Sequence, residues 1–162
     1  MQVTYGPEFG ITKQETMREK VERLESVLMA SPMPDIECPI KHYFAPGLYA
    51  REMSIPAGTV VTGAIHKTEN LIVVSMGRLH IVTADGTREV KAGDTFTCQA
   101  GMKNAVVALE DSRWTNFMAN PSNETDVDKL VEVFTNSKAS ELLGGADNVQ
   151  LLAQAELKKV RA

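Results

Sequence analysis

Side chains suited to chemistry are sparse in this chain, which has three histidines and two cysteines among its 162 residues. Cys38 and Cys98 are far apart and fit no metal-binding or redox spacing, so we expect two reduced structural thiols. His42 and His80 have no partner at the spacing of metal ligands, and we expect surface or packing roles for them. No serine or cysteine has a recognisably activated setting. His66 is therefore the candidate functional residue that the sequence singles out.

His66 belongs to the first of two regularly spaced sets of glycines and polar residues. The first set is Gly58, five residues to Ala64, Ile65, His66, three residues to Asn70 and six to Gly77. The second set is Gly93, five residues to Gln99, Ala100, Gly101 and two residues to Asn104. This spacing resembles the two cupin motifs, G-x5-H-x-H-x3-E-x6-G and G-x5-P-x-G-x2-H. The glycines and the central histidine match, whereas the other histidines, the glutamate and the proline are replaced.

The resemblance also implies which positions would hold a metal ion. In a metal-binding cupin these positions supply two or three imidazoles and a carboxylate to iron, manganese, zinc or nickel. The corresponding residues here are Ala64, His66, Asn70 and Asn104. A methyl group cannot coordinate, and neutral amides are weak ligands without charge. We therefore expect no metal and no cofactor. Glu69 would point to the opposite face from Asn70 unless a bulge shifts the register.

One alternative metal site is left open. On the last barrel strand, Met118 occupies a position that completes the site in similar proteins. A thioether with a single imidazole suits Cu(I) better than the usual cupin metals. An unusual site built on His66 and Met118 is thus the alternative to a barrel without metal.

Four further short segments resemble segments of small single-cupin proteins that tailed bacteriophages encode. They are Cys38–Phe44, Ser54–Thr59, Ile65–Glu69 and Glu110–Thr115. This resemblance implies a viral accessory or structural protein that occurs in the host cytoplasm or in the virion. The resemblance implies no particular reaction.

Composition restricts the partners of the chain. A formal net charge of −4 without a long basic block argues against nucleic acid as a partner. Apolar runs are too short for a membrane-spanning helix, so we expect no membrane partner. The first residues lack the basic start and apolar stretch of a secretory signal, and we expect a cytoplasmic protein.

Between Leu48 and Met118 the sequence has the pattern of a β-barrel or β-sandwich, with short β-branched runs separated by turn residues. The predicted strands are Tyr49–Ile55, Val60–His66, Asn70–Met76, Arg78–Thr83, Thr87–Val90, Thr95–Cys98, Ala105–Leu109 and Arg113–Met118. Strand alternation places Thr62, Ala64 and His66 on one inward face, joined by Asn70, Ile72 and Val74. The predicted fold is mainly β, a single small jelly-roll-type cupin barrel with an N-terminal helix and C-terminal helices.

Helical periodicity flanks the barrel on both sides. Thr12 and Glu15 form an S/T-x-x-E capping box for a helix from Thr12 to Ala30, with an apolar stripe of Met17, Val21, Leu24 and Leu28. Glu19 and Arg23 form an i,i+4 pair on its polar side. Thr125 caps a second helix carrying Val127, Leu130, Val131 and Phe134. After a Gly144-Gly145 break, a last helix from about Asn148 carries Leu151, Leu152, Ala155 and Val160.

These elements divide the chain into an N-terminal helical extension (1–35), the barrel (36–120) and a C-terminal helical appendage (121–162). The stripe on the first helix packs against its own chain or against another subunit. Because a small barrel has limited surface to cover three apolar helices, we expect the helices to make intermolecular contacts in a homo-oligomer.

Three functions remain open at this point. The first is a non-enzymatic structural or interaction module, oligomeric and phage-encoded, with other phage proteins among its partners. The second is a binding protein that sequesters a small polar metabolite in the barrel, with His66, Asn70, Asn104 and Trp114 as ligand-binding residues. The third is an enzyme with an atypical metal site, or a metal-free cupin similar to sugar epimerases with His66 as base. Structural roles compete with these: His66 hydrogen-bonded inside the barrel, and Trp114 as core filling.

Overall fold

The computed structural model describes residues 15–30, 32, 36–83 and 86–137, together with the backbone of Leu151–Ala153. Two helices and ten strands occur in this part of the chain. The helices are α1 (Met17–Met29) and α2 (Val127–Phe134). The strands are β1 (Ile40–Ala45), β2 (Gly47–Ile55), β3 (Thr59–Thr62), β4 (Asn70–Met76), β5 (Arg78–Thr83), β6 (Gly86–Lys91), β7 (Thr95–Cys98), β8 (Ala105–Ala108), β9 (Ser112–Asn120) and β10 (Leu151–Ala153).

The strands form two five-stranded sheets in the orders β1-β2-β9-β4-β7 and β10-β3-β8-β5-β6, and every pairing is antiparallel. Without the outermost β1 and β10, eight consecutive strands form two four-stranded sheets, and the chain crosses from one sheet to the other at every step except the β5–β6 hairpin, as in a jelly roll. The predicted mainly β architecture, a single jelly-roll barrel with helical flanks, is confirmed. Its core lies between the sheets and includes Ile55, Ile72, Leu79 and Ile81.

The N-terminal helix begins later than predicted. Thr16, not Thr12, is its N-cap, and Thr16 and Glu19 form the reciprocal capping box. The sequence repeats the S/T-x-x-E pattern one turn apart, and the structure uses the second copy. Glu15 consequently lies before the helix and accepts a hydrogen bond from Arg23 Nε at 2.9 Å. Arg23 therefore pairs with Glu15, while the Glu19 carboxylate accepts from Thr16 N in the capping box.

Strand β3 is shorter than predicted and presents the opposite face. It ends at Thr62, whose hydroxyl donates to Glu25 of α1 at 3.1 Å, while Val61 belongs to the barrel core. Residues 63–65 leave the strand conformation, which resets the alternation before Ala64 and His66. The prediction that Thr62 shares an inward face with Ala64 and His66 is wrong for Thr62. Ile72 and Val74 do face the core.

The C-terminal helices also differ from the prediction. Asp126, rather than Thr125, caps α2 and accepts hydrogen bonds from Asp128 N and Lys129 N. Leu151–Ala153, predicted as helix, form β10 and pair with β3. The Leu-Leu-Ala segment suits either structure, and the β3 edge supplies the backbone partners that a ladder needs. The Gly144-Gly145 break, Asn148, Ala155 and Val160 lie outside the described residues.

Both helices pack against their own chain. Leu24 and Leu28 of α1 contact Val60 and Val107 on the outer side of the second sheet. In the same way, α2 buries Leu130 and Phe134 against Tyr49 and Met118. Val27 and Met29 remain exposed on α1. The apolar stripes are thus largely covered within one chain, which removes much of the argument that they need another subunit. In the described residues, neither helix is long and apolar enough to cross a membrane.

Gly77, between β4 and β5, provides a stability test of this architecture. It has a φ of +78°, and a Cβ there would collide with the Asp111 carbonyl and with Ser112. Gly47 has a similar φ of +73° but open space around it. Gly77→Ala should therefore cost at least 2 kcal/mol more than Gly47→Ala, whose cost of about 1 kcal/mol comes from backbone strain alone. Urea unfolding measures both, and equal costs would contradict the close packing of β4–β5 on β9.

Candidate functional site

A cavity of about 100 Å³ lies inside the barrel, at the end that α2 covers. Most of its wall is apolar and comes from both sheets, including Val61, Val106 and Met118. The polar groups in the wall come from β2, β9, α2 and the two segments that carry the sequence motifs. They are Arg51, His66, Asn104, Asn116 and Thr135, with the indole of Trp114 and the phenol of Tyr49.

Strands β2 and β9 supply one wall through their pairing register. Tyr49 lies opposite Met118, Arg51 opposite Asn116, and Met53 opposite Trp114. All of these side chains line the cavity because alternate residues of a strand point to the same face.

The segment after β3 supplies His66. Its backbone N–H donates to Met102 O at 3.2 Å, and its carbonyl accepts from Gly101 N at 2.7 Å. These two bonds join the first motif segment to the second. As a result, His66 and Asn104 lie on the same cavity wall although neither belongs to a strand.

The C-terminal end of α2 is fixed to this same segment. Lys67 N donates to Phe134 O at 2.8 Å, and Asn136 N donates to Ile65 O at 3.0 Å. His66 and Thr135 form an isolated β-bridge. Helix α2 therefore covers the cavity and is hydrogen-bonded to the segment that contains His66, so the two form one wall.

A chain of hydrogen bonds orients the amides behind the cavity. Trp114 Nε1 donates to Asn116 Oδ1, and Asn116 Nδ2 donates to Asn70 Oδ1, both at 2.8 Å. Asn70 Nδ2 in turn donates to the Thr68 carbonyl at 3.4 Å. Each buried amide is thereby held in one orientation, and the indole is fixed beside the cavity.

Two buried polar atoms in the cavity wall have no hydrogen-bond partner among the described residues. They are His66 Nδ1 and Asn104 Oδ1. Asn104 uses its amide nitrogen to donate to Cys98 Sγ at 3.4 Å, which leaves the oxygen directed elsewhere. Buried polar atoms normally have partners, since an unmade hydrogen bond costs about 1–3 kcal/mol. Two residues that line the cavity therefore have unsatisfied hydrogen-bonding capacity.

The imidazole of His66 is neutral at physiological pH. Burial, and next the positive charge of Arg51, lower its pKa from 6.5 to about 4. A neutral imidazole can donate from one ring nitrogen and accept at the other. His66 thus brings polar contacts to the cavity without charge.

The structure brings three of the four predicted ligand-binding residues to the cavity. His66, Asn104 and Trp114 line it, and so does Met118. Asn70 is buried behind Asn116 and holds that amide in place. The histidines outside the cavity have other partners: His42 Nδ1 is 2.8 Å from the Tyr49 hydroxyl, and His80 Nε2 is 3.5 Å from Glu89.

Sequence reasoning missed Arg51 and the residues of α2. A signal for Arg51 was present, because Tyr49, Met53 and Ile55 are apolar at alternate positions and Arg51 has the same parity. The contribution of Thr135 and Phe134 had no such signal, since it depends on where α2 docks.

The residues present do not fit the metal centre that the cupin motifs imply. Of the four matching positions, His66 alone provides a strong ligand, while Asn70 bonds Asn116 and Asn104 bonds Cys98. The described residues contain no group of three histidine, cysteine or carboxylate side chains that could hold a metal ion. Glu69 is exposed and does not line the cavity.

Neither cysteine is suited to chemistry. Cys38 and Cys98 are both unbridged and buried. Burial raises the pKa of the Cys38 thiol to about 12 and raises the pKa of Cys98 as well. Both thiols are therefore protonated at neutral pH, and a protonated thiol is a poor nucleophile.

Solved structures similar to this chain are cupin-domain proteins. KdgF from Halomonas sp. is 20% identical and has a TM-score of 0.47, over 60% of this chain and 91% of that one. The cupin-2 domain of an XRE family transcriptional regulator from Enterobacter cloacae is 12% identical, with a TM-score of 0.46 over 52% and 97%. A cupin-2 domain containing protein from Shewanella frigidimarina is 16% identical, with a TM-score of 0.43 over 50% and 79%. No family model and no curated protein matches the chain.

The low pKa of His66 makes the stability of the fold depend on pH. Unfolded histidine takes up a proton below about pH 6.5, whereas the folded imidazole does so only near pH 4. Stability is therefore complete above pH 6.5 and is lost as the pH falls through this range. Between pH 7 and pH 5 the unaltered chain should lose about 2 kcal/mol of unfolding free energy more than His66→Gln does.

Urea midpoints at the two pH values measure this difference. His80→Gln is the matched control, because the His80 side chain is about half exposed and lies outside the cavity, and this variant should keep the full loss. Parallel pH profiles for the unaltered chain and His66→Gln would contradict the buried neutral state of His66.

Proposed function

We propose that this protein is a non-catalytic binding protein that holds a small molecule in its barrel cavity. The observation that carries the proposal is that two residues lining a partly enclosed cavity each have a buried polar atom without a partner, His66 Nδ1 and Asn104 Oδ1. A few convergent polar groups in an otherwise apolar cavity are typical of ligand sites.

Binding is favoured over catalysis by the character of the polar groups. A base with a pKa of about 4 is a weak proton acceptor at neutral pH, which disfavours an epimerase-like role for His66. The amides that surround it are fixed by their own hydrogen bonds and carry no charge. Such groups can recognise a ligand, and they supply no nucleophile.

The cupin motifs and the four segments that resemble phage proteins support a narrower proposal about the origin and location of the protein. We propose that the protein is one of the small single-cupin proteins of tailed bacteriophages and that it occurs in the host cytoplasm or in the virion. Other phage proteins are then candidate partners. Detection of the chain in purified virions by mass spectrometry would distinguish the two locations.

A second candidate function, self-association, rests on the outer face of the first sheet. The register aligns Tyr43 with Ala50, Ala50 with Phe117 and Phe117 with Leu71, so that one apolar row crosses four strands. Tyr43 and Leu71 are about half exposed. Contiguous apolar surface of this kind is typical of protein interfaces. We propose that a second copy of the chain covers this row in a homo-oligomer.

The binding proposal predicts that filling the cavity abolishes ligand binding. Ala64 lines the cavity, so Ala64→Leu should occupy the space and weaken any bound compound at least tenfold while retaining the fold. Ligand-observed NMR with a set of neutral, anionic and cationic small molecules measures binding to the full chain. Val133→Ala, on the exposed side of α2, is the control and should bind as the unaltered chain does. Binding that survives Ala64→Leu unchanged would place the ligand elsewhere, and no binding at all would refute the proposal.

If a second copy covers the apolar row, a charged residue placed in that row should lower the mass of the particle in solution. Leu71→Glu should shift the chain from oligomer to monomer in sedimentation velocity, because a carboxylate would have to be buried in an apolar contact. Val27→Glu, on the equally exposed α1 surface, should leave the mass unchanged. A monomeric unaltered chain at high concentration would contradict the proposal.

A further inference from the structure

Arg51 is the one charged side chain among the described residues that line the cavity. Its position is fixed by the strand ladder, since it lies opposite Asn116 of β9, between the inward-facing pairs of Tyr49 and Met53. The guanidinium also has an interaction within the chain, which an anionic ligand would share. The inference drawn from Arg51 rests on the proposed binding function.

The surroundings of Arg51 within the cavity favour an anion. The other polar groups of the wall, His66, Asn104, Asn116 and Thr135, are neutral, and no carboxylate lines the described wall. The positive charge of Arg51 also contributes to the low pKa of His66, which lines the same cavity. An anionic ligand in this space would therefore meet one cation and no carboxylate of the described wall.

The guanidinium is suited to one kind of anion in particular. It has five N–H donors in a planar fork that matches the two oxygens of a carboxylate, so it can bind a ligand and keep another contact at the same time. The remaining wall, with Val61, Val106 and Met118, is apolar. This combination suits a molecule with one carboxylate and a compact apolar body.

The volume limits the size of that molecule. A cavity of about 150 Å³ holds benzene, whereas a single water has a share of about 30 Å³ in the liquid. The cavity of about 100 Å³ lies between these values. The part of the ligand that fits inside has roughly four non-hydrogen atoms on this scale.

We propose that the cavity binds a short-chain monocarboxylate, with the carboxylate on Arg51 and the apolar part between the two sheets. His66 and Asn104 are then available to polar substituents of the ligand. Arg51 selects for charge, and the surrounding apolar side chains select for size.

Isothermal titration calorimetry with three probes of similar shape tests this on the full chain. The probes are 2-methylpropanoate, its neutral isostere 2-methylpropanamide, and the cation 2-methylpropan-1-amine. The carboxylate should bind at least tenfold more tightly than the amide, and the amine should bind weakest. This comparison uses the unaltered protein and does not depend on the folding of any variant.

Variants of Arg51 then identify the source of the preference. Arg51→Gln should reduce carboxylate affinity at least tenfold and leave amide affinity within about twofold, while Arg51→Lys, which keeps the charge and loses the fork, should lie between. Arg88→Gln is the matched control, since Arg88 lies over Phe96 outside the cavity lining, and it should change neither affinity.

The outcomes separate this inference from the proposed function. Equal binding of carboxylate and amide, or a preference for the amine, would overturn the assignment of an anion while leaving a binding protein. A carboxylate preference that survives Arg51→Gln would overturn the role of Arg51. If neither these probes nor the wider set of small molecules bind, the binding function itself fails.

Discussion

The register between β2 and β9 is the constraint on which the cavity depends. Nine consecutive residue pairs hold these two strands together. Because side chains alternate along a strand, this register turns Arg51 and Asn116 inward and Ala50 and Phe117 outward. A slip of one residue in β9 would turn Phe117 inward in place of Asn116, and a slip in β2 would turn Ala50 inward in place of Arg51. The inner site and the outer apolar row are therefore two consequences of one alignment.

The break after β3 is the second feature that shapes the cavity. Within β3, Thr62 points away from the cavity and bonds Glu25 of α1, and the reset over residues 63–65 then allows His66 to face inward. Glu25 also pairs with Lys103 at 2.7 Å, and both side chains are largely buried. Since Lys103 precedes Asn104, α1 braces the segment that delivers the second polar group. A helix outside the barrel thus supports a site inside it.

Local patterns predicted those parts of the fold that depend on local causes. β4, β5 and β7 begin and end as predicted, because β-branched runs between glycine-containing turns define them. Helix α1 was displaced because two capping patterns overlap one turn apart. Segment 151–153 was assigned as helix, although a strand edge far away in sequence pairs with it. Short apolar segments take their structure from the neighbours they meet, and the neighbours are not visible locally.

The candidate site was predictable to a similar degree. The motif spacing located His66 and Asn104, whereas the role of Asn70 depends on how β4 and β9 align, and Asn70 turns to Asn116. Arg51 was missed because arginine is ordinarily exposed, even though the parity of its strand included it. The contact between α2 and the His66 segment joins residues almost seventy positions apart, and no periodicity carries that information.

The indole of Trp114 has a consequence for how this protein can be observed. The chain contains a single tryptophan, and it lies in the cavity wall, 6% exposed, with its N–H bound to Asn116 Oδ1. Its emission is therefore not averaged over several environments. Light absorbed at the long-wavelength edge of the tryptophan band, where tyrosine does not absorb, is re-emitted from one place, beside the cavity. The molecule carries its own fluorophore at that position, without any label.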